Sequence, residues 1–183
     1  MKQETQFLEV AGTIKQSKAI AYQSINAELV NCYWQVGQYI SQRISNAKWG
    51  EKSVDELAKF IEKEHPDLKG YELRDLYRMK QFYESYCNTQ IVAPLIRQFQ
   101  LSENQSCTIL TPHVTHLTDI RKTILAEISW THHLIIFSRT KTEEEREFYI
   151  RLCIREKYSA RELDRQISSG LFERAMLGKH QPG

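Results

Sequence analysis

Cysteine is scarce and scattered in this chain. Cys32, Cys87, Cys107 and Cys153 lie far apart and form no C-x-x-C pair, which argues against a zinc ribbon, a thioredoxin-type site and a disulfide framework. A long hydrophobic run is also missing. No stretch of eighteen apolar residues occurs, and residues 1–6 lack the apolar core of a signal peptide. The expectation is a soluble cytoplasmic protein with reduced thiols and no membrane partner. An excess of one charge is absent too: 25 Lys and Arg face 23 Asp and Glu, a formal net charge of +2. A dedicated nucleic-acid binder usually shows a clear basic excess, so any DNA contact must come from local stripes.

Catalytic signatures are missing as well. There is no G-x-S-x-G, no Gly-rich phosphate loop and no H-E-x-x-H. Histidines cluster only at His113/His116 and His132/His133. A zinc site needs three or four converging ligands. Cys107 is near His113 and His116 in sequence, but all three fall in a polar loop, and coincidence explains them better than a metal. His132 and His133 are adjacent and cannot share a helix face, so one buried, hydrogen-bonded imidazole is expected. The reading is a non-enzyme with no metal and no cofactor.

Helical periodicity is what the chain does have. Its 183 residues, 41 % apolar and 26 % charged, suit one all-α domain over residues 1–177 with a frayed tail at 178–183. Residues 6–45 contain no proline and only Gly12 and Gly37. Tyr22, Ile25, Leu29, Cys32, Val36 and Tyr39 or Ile40 recur at steps of three and four. This predicts a long helix, interrupted near Gly12, with a seam of coiled-coil type. Such a seam either packs inside its own domain or pairs two copies as a homodimer. Trp34 lies one residue off the seam and widens it.

A helix pair follows over residues 53–87. Ser53 to Glu56 reads as a capping box. Val54, Leu57, Ala58 and Ile61 form one apolar face, Pro66 stops the helix, and Gly70 turns the chain. Leu73, Leu76, Met79, Phe82 or Tyr83, and Tyr86 then give the second helix a core face, with Arg74, Arg78 and Gln81 on another stripe. A short helix is expected over 91–99, an exposed polar loop over 100–118, and a helix over 119–128. Ser129 to Phe137 reads as a strongly apolar helix. Thr142 to Glu145 and Ser159 to Glu162 are two further capping boxes, the second opening a helix with Leu163, Ile167 and Leu171 inside and Arg161, Arg165 and Ser168 outside.

Two functions fit these patterns. Helix-turn-helix-like units at 54–86 and 144–171 would contact DNA phosphates through Arg74, Arg78, Lys80, Arg161 and Arg165. The alternative is a protein-interaction or dimerisation module without DNA contact, whose long first helix and aromatics Tyr33, Trp34 and Trp49 form the partner surface.

Several of these residues also resemble a known family in order. Tyr33-Trp34-x-Val36-Gly37, Trp49-Gly50 and Gly70-Tyr71 with Leu73, Leu76, Met79, Phe82 and Tyr83 are similar to the N-terminal half of the bacterial YhcG family. Ser129 to His133, Glu147 to Tyr149, and Tyr158-Ser159-x-x-Glu162-Leu163-x-x-Gln166-Ile167 resemble the rest of its signature. The resemblance implies a helical N-terminal domain of unknown or DNA-associated role, which in the family precedes a PD-(D/E)XK nuclease-like domain in cis. That second domain is not in this chain, so a truncated product and a stand-alone form are both open. Glu72 and Asp75 depart from the serine and asparagine of the family pattern. Carboxylates there oppose base reading, although acids suit the first turn of a helix.

Overall fold

One helix sets the frame for everything else. The computed structural model describes residues 2–89, 91–92 and 119–178, and in it α1 runs unbroken from Lys2 to Ser45. Gly12 does not interrupt it. A glycine costs about 1 kcal/mol in a helix interior, too little to break a helix of 44 residues.

The stripe that α1 buries is not the one its apolar spacing picks out. Tyr22, Ile25, Leu29 and Tyr39 are exposed, and Cys32 and Val36 are half-buried. The buried side consists of Val30, Trp34, Gly37 and Ile40, joined by the polar residues Asn31, Gln38 and Ser41. Trp34 is therefore the centre of the buried face and not its margin.

The α2 helix (Glu51–Glu64) starts three residues earlier than the Ser53 capping box implies. Gly50 occupies the N-cap position in extended conformation, with no side-chain cap, so Ser53 lies inside the first turn. Val54 is fully buried, while Leu57, Ala58 and Ile61 are partly so. After Pro66 the chain reverses through Gly70, whose φ of +84° favours glycine, and enters α3 (Leu73–Tyr86). Leu76, Met79, Phe82 and Tyr86 are buried as the periodicity requires. Their main cover is α1, with α2 touching α3 to a lesser extent.

Residues 119–128 do not form the expected helix. Two 3₁₀ turns, Ile120–Lys122 and Ile124–Glu127, flank an extended Thr123. The Asp119 and Thr123 side chains cap these turns, accepting from the backbone N–H of Arg121 and Leu125. Much of this strap is then satisfied from outside. Asn26 Nδ2 donates to the carbonyls of Ala126 and Ile128 at 3.1 and 3.0 Å, and Asn31 Oδ1 accepts from Ile120 N–H at 3.2 Å. Backbone groups of an irregular, buried segment need such partners.

Four short helices complete the described fold: α4 (Trp130–Arg139), α5 (Glu143–Glu156), α6 (Ala160–Ser168) and α7 (Leu171–Gly178). The N-cap half of the boxes at Thr142 and Ser159 forms as read, each side chain accepting from the N–H of the glutamate three residues on, while Glu145 accepts from the Lys141 N–H and Glu162 from Arg165 and Gln166. Gly170, with φ of +66°, separates α6 from α7. The described residues hold two core clusters. One gathers Trp34, Phe82, Tyr86, Tyr149 and Leu163 between α1, α3 and the later helices; the other gathers Ile40, Val54, Leu76 and Met79 around α2. Trp130 packs against both. No strand occurs among the described residues, and the fold is all-α. The expected helix at 91–99 (beyond its first two residues), the loop at 100–118 with Cys107, His113 and His116, and residues 179–183 lie outside the described residues.

Candidate nucleic-acid interface

The first helix-turn-helix-like pair, α2–α3, uses most of its charge internally. Arg78 is held by Asp75 one turn back at 3.1 Å, with Arg78 about one-third exposed. Lys80 donates to Glu84 at 2.8 Å, and the same carboxylate accepts from Ser41 Oγ of α1 at 2.8 Å. Lys80 thus sits in the α1–α3 joint. Arg74 is different: it is exposed, in the first turn of α3, and has no ion pair among the described residues. The exposed Glu72 at the N-cap stands two residues away, so the start of α3 offers little net positive charge.

The second pair, α5–α6, is arranged otherwise. Its turn is Lys157-Tyr158-Ser159, with Lys157 in the left-handed region at φ 53°. The acids nearby are already engaged. Glu156 accepts from Arg155 at 2.6 Å, and Glu162 accepts from Arg165 at 2.7 Å and from Gln166 at 2.9 Å. Those hydrogen bonds, from Gln166 and then Arg165, lower the Glu162 carboxyl from its ordinary value. Lys157 and Arg161 remain exposed, with no ion pair among the described residues. Lys157 was not legible as a candidate, because its place in the turn follows from backbone conformation and not from helical spacing.

The two pairs meet through α4, which packs on both α3 and α6. Arg139 near the end of α4 bridges to Asp164 of α6 at 2.9 Å. At the other end, His132 Nε2–H donates to the Tyr158 carbonyl at 2.8 Å, and Ser129 Oγ lies 2.6 Å from its Nδ1. A carbonyl can only accept, so Nε2 carries the proton and Nδ1 accepts from the serine. His132 therefore fixes the turn that presents Lys157 and Arg161. Between α3 and α4 lies a cleft of about 450 Å³ lined by Arg78, Gln81, Thr131, Leu134, Ile135 and Ser138, with neither imidazole in its wall.

His133 is fully buried, as expected for one of the two histidines. Its Nε2 donates to the Leu125 carbonyl at 2.8 Å, and burial pushes the imidazole down from 6.5 to about 4. It is a neutral core residue against Phe82 and Tyr86.

The aromatics named as a partner surface are mostly interior. Trp34 is 0 % exposed, edge-on to Phe82 and Tyr83, and cannot meet a partner. Tyr33 is wedged between Tyr71 and Trp130, and Trp49 rests on Tyr39. Both are half-buried. The long first helix, read as part of that surface, is most exposed in its first half, where Phe7, Val10, Ile14, Tyr22 and Ile25 are all more than half exposed; of these, the apolar seam predicted from sequence includes only Tyr22 and Ile25. Among the described residues no group of three or more His, Cys, Asp or Glu converges as metal ligands would, and no helix is long and apolar enough to cross a membrane.

These features define an all-helical domain with two helix-turn-helix-like pairs joined through a central helix and carried on one long helix. The chain belongs to the DUF1016 N-terminal domain family, whose profile matches residues 9–174, in agreement with the YhcG resemblance. No curated protein and no solved structure matches it.

Proposed function

We propose that this domain is a non-catalytic DNA-targeting module that grips the phosphate backbone through α5–α6, with α3 as a weaker second contact. The observation that supports this most is Lys157 and Arg161 together. Both are exposed at the turn and first turn of α6, and each neighbouring glutamate is already neutralised by its own arginine. The N–H groups at a helix start favour anions, and in helix-turn-helix proteins the start of the second helix faces the DNA. Arg165, paired with Glu162, contributes little net charge, and Arg74 is the cation on α3 that has no ion pair among the described residues. Arg78 and Lys80, committed to Asp75 and Glu84, contribute little. A nuclease-like domain in cis would be the activity so delivered.

The test is fluorescence anisotropy of labelled duplex DNA over a salt series. Binding should weaken steeply with salt, each phosphate contact contributing about 0.9 to the log–log slope. Lys157→Ala/Arg161→Ala should lower that slope by about 2 for any duplex sequence, and Arg74→Ala by less. Absence of binding at low ionic strength would overturn the proposal. The alternative, a protein-interaction module, is favoured by a separate observation, the exposed apolar residues of the first half of α1.

A further inference from the structure

From Glu4 to Ile25, α1 has no buried residue, and only Ala11 is as much as half-buried. Most helical stability in proteins comes from packing an apolar face. The apolar face is present. Phe7, Ala11, Ile14, Ala21 and Ile25 fall on one seam at alternating steps of four and three, with Lys18 filling the remaining position. Phe7, Ile14 and Ile25 are 64 %, 53 % and 59 % exposed. At 100° per residue this seam points roughly 160° away from the side where Val30, Trp34 and Ser41 enter the core. Among the described residues, nothing of the domain's body covers it.

We infer that this arm pairs antiparallel with the same arm of a second copy. The inference rests on the interaction reading and is independent of DNA binding. Two features favour a second copy in this direction. An in-register parallel pair would set Lys18 against Lys18, a like-charge contact inside the seam. An antiparallel pair centred on Gln16 instead sets Phe7 opposite Ile25, Ala11 opposite Ala21, and Ile14 opposite Lys18, whose stem can lie on Ile14 while its ammonium reaches water. This register also sets Glu28 opposite Glu4 at the end of the pairing, where Arg121 holds Glu28 at 2.7 Å and offsets its charge. Two such arms, overlapping for roughly 28 Å, would cover on the order of 1,000 Å², about the least that a specific interface needs. The pair is accordingly weak and concentration-dependent, and it holds the two domain bodies at opposite ends.

Light scattering over a concentration series, with the parent chain, measures this. The mass should rise toward that of a dimer, and Ile14→Glu/Ile25→Glu should return it to monomer at every concentration. Both positions are exposed, so circular dichroism should show the body still folded. A strict monomer, or a dimer that survives both glutamates, would overturn the inference. Direction is read by mild oxidation. Phe7→Cys/Ile25→Cys should give a covalent dimer well above the parent's background, and Phe7→Cys alone should not; a cross-link from Phe7→Cys alone would mean parallel pairing and overturn it. The salt slope of DNA binding should be unchanged in Ile14→Glu/Ile25→Glu, which keeps failure here separate from failure of the DNA proposal.

Discussion

In the first half of α1, Gly12 stands in open space, with nothing within 4 Å of where a side chain would begin. In the second half, a Cβ on Gly37 would collide with the Met79 carbonyl of α3. One helix thus contains two regimes. From Val30 onward its geometry is dictated by α3 and the strap, and small or polar residues are buried because backbone must approach backbone there. Before Ile25 it is dictated by nothing else in the described structure, and apolar residues are exposed. Hydropathy alone inverts this picture, since it assigns the apolar residues to the core.

The sharpest way to break the comparison is to truncate one aromatic in each half. Trp34→Ala removes a fully buried indole that packs on Phe82 and Tyr83 and should cost about 3–5 kcal/mol. Tyr22→Ala, at a position 72 % exposed, should stay within about 0.5 kcal/mol of the parent. Denaturant unfolding at one fixed, low protein concentration distinguishes them; similar losses would mean that the arm packs on the body after all.

Acid should act on the buried half alone. His133 packs on Phe82, which packs on Trp34, and burial holds its imidazole at about 4 instead of 6.5. The unfolded chain therefore binds the extra proton between those two values. The stability is fully present above pH 6.5, declines as the pH falls, and is lost by about pH 4, for a total of up to about 3 kcal/mol. His133→Phe should flatten the pH dependence in that window, measured by thermal melts from pH 7 to pH 4. An unchanged profile would assign the acid sensitivity elsewhere.

The two glycines give the most discriminating result, though smaller in size. Gly37→Ala should destabilise by about 2–3 kcal/mol, because α1 and α3 must separate to admit a methyl group. Gly12→Ala should stabilise the helix by about 0.5–1 kcal/mol. The same substitution in the same helix should thus change sign. Two shifts of equal sign in chemical denaturation would refute the two-regime description.

Much of this was legible beforehand. The helix pairs were readable because α3 and α5 bury residues at regular three- and four-residue steps, and Thr142 and Ser159 cap as their sequence motifs require. Three things were not. Ser53 looks like a cap, but Gly50 supplies the extended residue earlier. The strap looks helical, yet Thr123 breaks it by capping Leu125 and bonding back to Ile120. The face of α1 was misjudged because Asn31, Gln38 and Ser41 are buried for their hydrogen bonds and closeness, which no apolar count records. In the candidate interface the arginines were visible, but not which of them were already spent on acids. Arg78, Lys80 and Arg165 could be separated from Arg74 and Arg161 only with partners in view.

The clamp of Asn26 on the strap has a consequence for how the chain matures. Its two hydrogen bonds span 100 and 102 residues. Ribosomes add roughly 5–20 residues per second, so α1 leaves the tunnel roughly five to twenty seconds before the strap exists. In the later part of that interval, once α3 is made, Trp34 and Ile40 have it as cover, while the side chains of Asn26 and Asn31 wait for backbone not yet made. The strap can lock onto α1 only when residue 128 arrives, and the core closes later still, when Ile136, Tyr149 and Leu163 join it.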